Sequence, residues 1–316
     1  MYNYCTLFDS NYLTRGLAMY ESLEKQSNDF HLYVFAFDDR SFNLLNQLHY
    51  NSMTVISLLA FEDEALLKIK ESRSAGEYCW TCTPSVIKYA IETYNLQSCT
   101  YLDADLYFFS NPAVLIEEMG DASVLITEHR YTPEYDQSKT SGIYCVQFMT
   151  FKNDERGMIA LNWWRDACIE WCFSRFEEGK FGDQKYLDDW AVRFDGVHIL
   201  QHLGGGVAPW NVQQYDLLDT DFELIFYHFH NYKLLENDKV ELGHYRLNKE
   251  CLVMLYKPYT KHLQQIAYKL KEYDKANCFN GIKKNTPFHW KDPMRVMKRK
   301  MKGIYNVIDL HELMEK

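Results

Sequence analysis

The chain has 316 residues, of which 47% are hydrophobic and 25% charged; this is enough apolar material for a large buried core and excludes a disordered chain. A net charge of −10 repels phosphate backbones and excludes nucleic acid as a natural partner. An odd count of nine Cys, a start without basic and apolar signal regions, and no apolar run near the roughly 18 residues of a membrane span predict a cytoplasmic protein.

In chain order, residues 4–8 read as a buried strand and Asp9-Ser10-Asn11 as a polar turn. An amphipathic helix follows, with Leu13, Leu17, Tyr20 and Leu23 on one face. Residues 30–37 and 53–59 are the next strands, the first closed by Asp38-Asp39. Helical patterns cover 62–72 and 84–94, with Pro84 placed as a first-turn proline. Cys79-Trp80-Thr81-Cys82 lacks a second pair and reads as structural thiols. Thr100-Tyr101-Leu102 is a strand running into Asp103-Ala104-Asp105 and continuing through residues 106–109. Strands at 122–126 and 142–151, a helix at 157–173 carrying Trp163 and Trp164 in the core, and a turn at 181–184 follow. Gly204-Gly205-Gly206 is expected to be a flexible loop, residues 223–229 a strand, and the chain from about 248 helical. Strands alternating with helices predict an α/β sheet, in which ligands sit beyond the carboxyl ends of the strands. Asp9, Asp38, Asp39 and Asp103 then share one rim.

Two carboxylates flanking one residue at a strand end reach a single cation if the backbone leaves strand geometry there. Hard divalent ions bound this way share their shell with substrate phosphates. The spacing also fits a haloacid-dehalogenase-type phosphatase, but Tyr107 stands where that motif carries Thr or Val, and the pair lies a third of the way into the chain. His228 and His230 alternate on a strand, so one of the two reads as a satisfied core histidine. Trp210-Asn211, soon after the triple glycine, is placed for a sugar ring.

Together these pieces resemble the GT-A-fold glycosyltransferases, and within them glycosyltransferase family eight, which includes glycogenin and lipopolysaccharide galactosyltransferases. Four stretches carry the resemblance in the family's order: Asp9-Ser10-Asn11-Tyr12, Tyr101-Leu102-Asp103-Ala104-Asp105, Gly182-Asp183-Gln184 and His228-Phe229-His230-Asn231. The resemblance implies a Rossmann-like α/β GT-A domain over residues 1–245 with a central mixed sheet, and a helical C-terminal extension over 246–316. It implies a nucleoside-diphosphate sugar, in first place a UDP-sugar, as donor and Mn2+ or Mg2+ as cofactor. Asp9, Asn11 and Tyr12 would contact the uridine. Asp103 would touch ribose and metal, while Asp105 and His228 would complete the metal ligands. Lys233 would meet the diphosphate, and Asp183 and Gln184 would sit beside the reacting sugar. An imidazole ligand favours Mn2+ over Mg2+. The chain departs from the family at Leu234, which holds the family lysine's place with Lys233 one residue early, at Asn231 in place of a glycine, and at Cys145 in place of an asparagine. The family's arginine before the metal motif has no evident counterpart near Val86 and Lys88.

The expected reaction is hexose transfer to a glycan or lipid-linked acceptor, retaining by the family resemblance. The rivals are a sugar-phosphate nucleotidyltransferase, which would carry a glycine-rich loop after its first strand, and a non-catalytic nucleotide- or glycan-binding protein. Between residues 283 and 302 the chain carries Lys283, Lys284, Lys291, Arg295, Lys298, Arg299, Lys300 and Lys302 against Asp292, interleaved with Met294, Val296, Met297 and Met301. Such a basic amphipathic segment is suited to the inner face of an anionic membrane.

Overall fold

The structure is a computed structural model that describes residues 1–273, 281–283 and 290–315. Lys284 of the basic segment lies outside the described residues. The elements run β1 Tyr2–Phe8, α1 Leu13–Gln26, β2 Phe30–Ala36, α2 Asp39–Leu48, β3 Met53–Ser57, α3 Leu58–Phe61, α4 Glu64–Lys70, α5 Ala75–Thr93, β4 Ser98–Leu102, β5 Leu106–Phe108, α6 Ala113–Glu117 and β6 Val124–Glu128. They continue with α7 Ser138–Ser141, β7 Tyr144–Lys152, α8 Glu155–Glu170, α9 Trp190–Arg193, β8 Val197–Ile199, β9 Phe226–His228, β10 Tyr232–Leu235 and β11 Lys239–Leu242. The C-terminal part is mostly helical: α10 Lys249–Cys251, α11 Lys257–Leu270, α12 Asp292–Met301, β12 Val307–Asp309 and α13 Leu310–Glu315.

Seven strands form a mixed sheet in the order β3-β2-β1-β4-β7-β6-β8. β1, β2, β3 and β4 are mutually parallel, while β7 runs antiparallel to both β4 and β6. Along β1 the side chains divide between two cores: Tyr4 and Phe8 join α1 and α11 on one face, Cys5 and Leu7 join α5 and α8 on the other. Burial on both faces explains why β1 and β2 read as nearly continuous apolar runs. β1 has β2 on one side and β4 on the other. Chain direction across the sheet therefore diverges at β1 and β4, which opens a crevice at their carboxyl ends. Asp9 follows β1 and Asp103 follows β4, so topology alone places both at that crevice.

Three local expectations are corrected. Residues 106–109 do not continue β4; β5 leaves the main sheet and pairs with β9, with Leu106 opposite His228. The helix expected at 84–94 begins at Ala75, because Ser74 and Glu77 close a capping box there, with Ser74 N–H donating to Glu77 Oε2 at 2.9 Å. Pro84 is therefore interior, where it withholds the amide that would close on the Trp80 carbonyl. The triple glycine is not a loose loop: all three residues are buried, and a Cβ on Gly204 would come within 1.8 Å of the Glu223 carbonyl oxygen. Gly204 is needed because the backbone of residues 223–225 runs against it, Gly205 because the Leu200 and Leu115 side chains do, and Gly206 because its φ is +94° beside Thr127.

β12 pairs antiparallel with β11, and α11 packs on α1. Among the described residues no helix is long and apolar enough to cross a membrane.

Candidate metal and nucleotide site

The backbone breaks at Asp103-Ala104-Asp105 because β4 and β5 belong to different sheets. Asp103 N–H donates to the Gln147 carbonyl at 3.0 Å, and Leu106 N–H closes back on the Asp103 carbonyl at 3.2 Å. The tight turn points both carboxylates to one side. β9 then brings the histidine: Phe229 N–H donates to the Asp105 carbonyl at 3.0 Å, fixing the register that sets His228 beside Asp105. His228 Nε2 lies 3.1 Å from Asp105 Oδ1 and 3.7 Å from Asp103 Oδ2. Neighbouring ligands on an octahedral ion with bonds of about 2.1 Å stand about 3 Å apart. Two carboxylates and an imidazole, with ligand atoms all within 4.8 Å of one another, therefore fit one divalent cation. The donor set of hard oxygens with one nitrogen suits Mn2+ or Mg2+.

Gln147 explains which nitrogen of His228 faces the carboxylates. Its Oε1 accepts from Nδ1 at 2.6 Å, so Nδ1 carries the proton and Nε2 keeps its lone pair for an ion. Gln147 is fully buried, and its Nε2 has no partner among the described residues. That cost is accepted at a position where an apolar residue would otherwise fill the strand. Replacing Gln147 by Leu is expected to weaken Mn2+ binding roughly 10- to 100-fold by calorimetry, while Gln147→Glu, which still accepts from Nδ1, retains most of it. Unchanged affinity in the leucine variant would mean that Gln147 only fills space.

The charges are strongly coupled. Burial, reinforced by Asp105 and opposed by His228, pushes the Asp103 carboxyl up to about 6. Burial also acts on Asp105, but contact with His228 outweighs it and holds that carboxyl down at about 2. Burial alone would depress His228; the Asp105 carboxylate overcomes it and raises the imidazole well above its ordinary value. His230 goes the other way, to about 4, through burial and the neighbouring His228 charge. It is thus His228, not His230, that lies against the carboxylates. An ion held here would displace a proton from His228, so its binding would release protons and strengthen as pH rises.

Asp9 caps the turn after β1, with Asn11 N–H and Tyr12 N–H donating to its Oδ1 at 3.0 and 3.3 Å. Asn11 Nδ2 donates to its other oxygen at 2.9 Å, and Ser10 N–H donates to Asp38 Oδ2 at 2.9 Å. This locked loop forms one wall of a cavity of about 340 Å³, which Arg15, Asp105, His230, Lys233, Ile282 and Lys283 also line. Arg15, 4% exposed, donates to the carbonyls of Asn11 and Tyr232 and lies 4.6 Å from the Tyr12 ring centre. Residues 281–283 form the far wall: Lys283 N–H donates to the Leu234 carbonyl at 2.8 Å, and Gly281 packs on the Asn11 carbonyl. Three cations beside the metal cluster suit a diphosphate. The sequence reading missed Arg15, Gln147 and Lys283. Gln147, a polar amide between Val146 and Phe148 in a mostly apolar strand, was the readable signal among them.

Asp183 and Gln184 come to the same rim through the turn before α9. The Trp164 indole donates to the Asp183 carbonyl at 2.9 Å, and Gln184 Nε2 donates to the Ser141 carbonyl at 2.6 Å. The Asp183 side chain is 5% exposed, and burial together with the Asp103 charge pushes it up to about 7. Trp210 and Asn211 stand behind the histidines. The Trp210 indole and the Asn211 amide both donate to the His129 carbonyl, and the Trp210 ring meets His228 and His230 edge-on. Their polar groups are engaged inside the protein.

No family model matches the chain. It is 31% identical over 277 residues to the uncharacterized protein YfnD of Bacillus subtilis (strain 168), covering 84% of this chain and 89% of that one. It is 30% identical over 295 residues to the uncharacterized protein YfnF of the same organism, covering 88% and 96%. It belongs to the family of these two proteins. Among solved structures it is similar to the galactosyltransferase LgtC in complex with donor and acceptor sugar analogues, with a TM-score of 0.54 and 12% identity over 83% of this chain and 95% of that one. It is also similar to the apo form of the glycosyltransferase GlyE of Streptococcus pneumoniae TIGR4, with a TM-score of 0.53 and 11% identity over 86% of this chain and 63% of that one. The fold is that of the GT-A glycosyltransferases.

Proposed function

We propose that this member of the YfnD and YfnF family is a metal-dependent glycosyltransferase that moves a hexose from a nucleoside-diphosphate sugar, in first place a UDP-sugar, to a glycan or lipid-linked acceptor with retention of configuration. The observation that carries the reading is the juxtaposition of Asp103, Asp105 and His228 with a cavity lined by Arg15, Lys233 and Lys283. Asp103, Asp105 and His228 would hold the ion. A bound Mn2+ or Mg2+ would supply Lewis acidity toward the departing diphosphate. Asp9, Asn11 and Tyr12 hold the nucleoside, and the three cations stabilise the charge that grows on the diphosphate oxygens as the glycosidic bond breaks. Asp183 and Gln184 border the reacting sugar and orient it.

The test is a panel of UDP-sugars incubated with protein and Mn2+, with free sugar and UDP as products. Metal-dependent hydrolysis or transfer supports the reading. A thermal shift by UDP and Mn2+ without turnover of any donor indicates a binding protein that keeps the fold.

The basic amphipathic segment fits the same reading, because a lipid-linked acceptor lies at a membrane. On α12, Met294, Met297 and Met301 are exposed beside Lys298, Arg299 and Lys300. The protein is expected to co-sediment with vesicles containing anionic lipid, and the double substitution Lys298→Glu and Lys300→Glu, which leaves β12 and Leu313 in place, is expected to abolish this. Equal sedimentation of both forms would rule out membrane docking by this segment.

A further inference from the structure

We propose that Trp80 is the specificity-determining wall of the donor-sugar pocket, and that it selects a pyranose presenting a C–H face with equatorial hydroxyls toward its indole. The inference rests on the glycosyltransferase reading and assigns a residue that no motif of the sequence singled out for sugar binding.

Position comes first. A helix that returns to a parallel strand runs antiparallel to it, so α5, which precedes β4, begins at the rim where β4 ends. The first turns of α5 therefore face the reacting centre. Cys79 lies close enough to feel the Asp9 charge. Thr83, one turn further into the helix, sets its hydroxyl against both the Asp183 carboxyl and the Tyr101 phenol. Trp80 precedes Thr83 by three residues, so it lies over Thr83 on the same helix face, nearer the mouth of the crevice.

Contact comes second. The Trp80 ring lies on Gly182, where an added Cβ would sit 3.4 Å from its Cε3. Gly182 has φ +54°, a conformation suited to glycine, and it directly precedes Asp183. The Phe181 ring centre is 6.4 Å away at 40°. Trp80 is half-buried, so part of its surface remains accessible. One turn toward the helix start, Gly76 has no side chain, and a Cβ there would meet nothing within 4 Å. The indole thus stands near the exposed start of α5, against the residue that precedes Asp183 and Gln184.

Chemistry follows. A pocket with two polar side chains on one side and an aromatic plane on the other orients a sugar by exclusion. Ring C–H bonds pack on the indole, whereas an axial hydroxyl on that face is desolvated with no partner. Epimers that differ at that hydroxyl are separated by this wall.

The experiment compares wild type, Trp80→Phe and Trp80→Ala for binding of UDP and of UDP-hexose epimers with Mn2+ by calorimetry, and for donor turnover, after thermal unfolding has shown the variants folded. Trp80→Ala is expected to lose roughly tenfold or more in affinity and kcat/KM for the preferred donor, with UDP affinity unchanged, and to flatten the ranking of epimers. Trp80→Phe is expected to restore most of the ranking. Equal losses for UDP and UDP-sugar in Trp80→Ala, or an unchanged ranking, would overturn the assignment and leave the glycosyltransferase reading standing. No UDP binding by the wild type would overturn both. Should Trp80→Ala fail to fold, Trp80→Phe and Trp80→Leu decide, since a leucine of similar apolar character but no aromatic plane must still lose the ranking.

Discussion

Asp105→Asn is expected to reduce metal-dependent donor turnover about a thousandfold and to weaken Mn2+ binding at least as strongly as the loss of Gln147, because a bound metal contributes several kcal/mol of charge stabilisation to the transition state. Asn keeps the shape and one neutral oxygen but removes the charge that faces His228 Nε2 at 3.1 Å. That charge is also what raises His228, so the variant's imidazole titrates lower. The register is kept, since Phe229 N–H bonds the backbone carbonyl of Asp105 and not its side chain. Loss of the buried pair is expected to lower the unfolding temperature, so Mn2+ titration and turnover are compared below it, where the variant is folded. Turnover within tenfold of wild type at equal Mn2+ would show that the cluster is not the metal site.

Asp183→Asn is expected to abolish most activity and to make the metal-free protein more stable at neutral and higher pH. The wild-type carboxyl is raised from 3.8 to about 7, so the folded state holds its proton more tightly than the unfolded chain does. Stability is accordingly lost as pH rises from about 4 to about 7 and stays low above that. At about 1.36 kcal/mol per unit, a rise from 3.8 to about 7 corresponds to roughly 4 kcal/mol. Asn removes it without changing volume, and the Trp164 bond is to the backbone carbonyl. A gain of roughly 5 °C in Tm at pH 8 that disappears near pH 4 is the expected signature. A destabilised variant at pH 8 would show that the ionised carboxylate is satisfied where it stands. Such a trade of stability for function would fit the proposed place of Asp183 beside the reacting sugar.

The rim of carboxylates was legible because it is a local property. Each of β1, β2 and β4 is a short apolar run that ends in Asp, and parallel strands put those ends on one side. The departure of the chain from strand geometry between Asp103 and Asp105 was anticipated only as a condition. What meets it is the pairing of β5 with β9, a contact between distant segments that no window of sequence contains. Pro84 misled for a related reason: proline signals a helix start only when no stronger cap lies upstream, and Ser74 with Glu77 is such a cap. The three glycines at 204–206 have the composition of a loose loop, yet each is closed in by its neighbours, Gly204 by the backbone of residues 223–225 and the other two by side chains. Arg15 and Lys283 could not be assigned from spacing, since one lies in the first turn of α1 and the other arrives from a segment that runs beside β10.

The most direct measurement is the anomalous difference density of a crystal grown with Mn2+ and UDP. The account predicts one manganese peak bounded by Asp103, Asp105 and His228 Nε2, with the diphosphate reaching from it toward Arg15, Lys233 and Lys283. UDP bound in the crevice with no metal at those three side chains, or manganese held elsewhere, would contradict it.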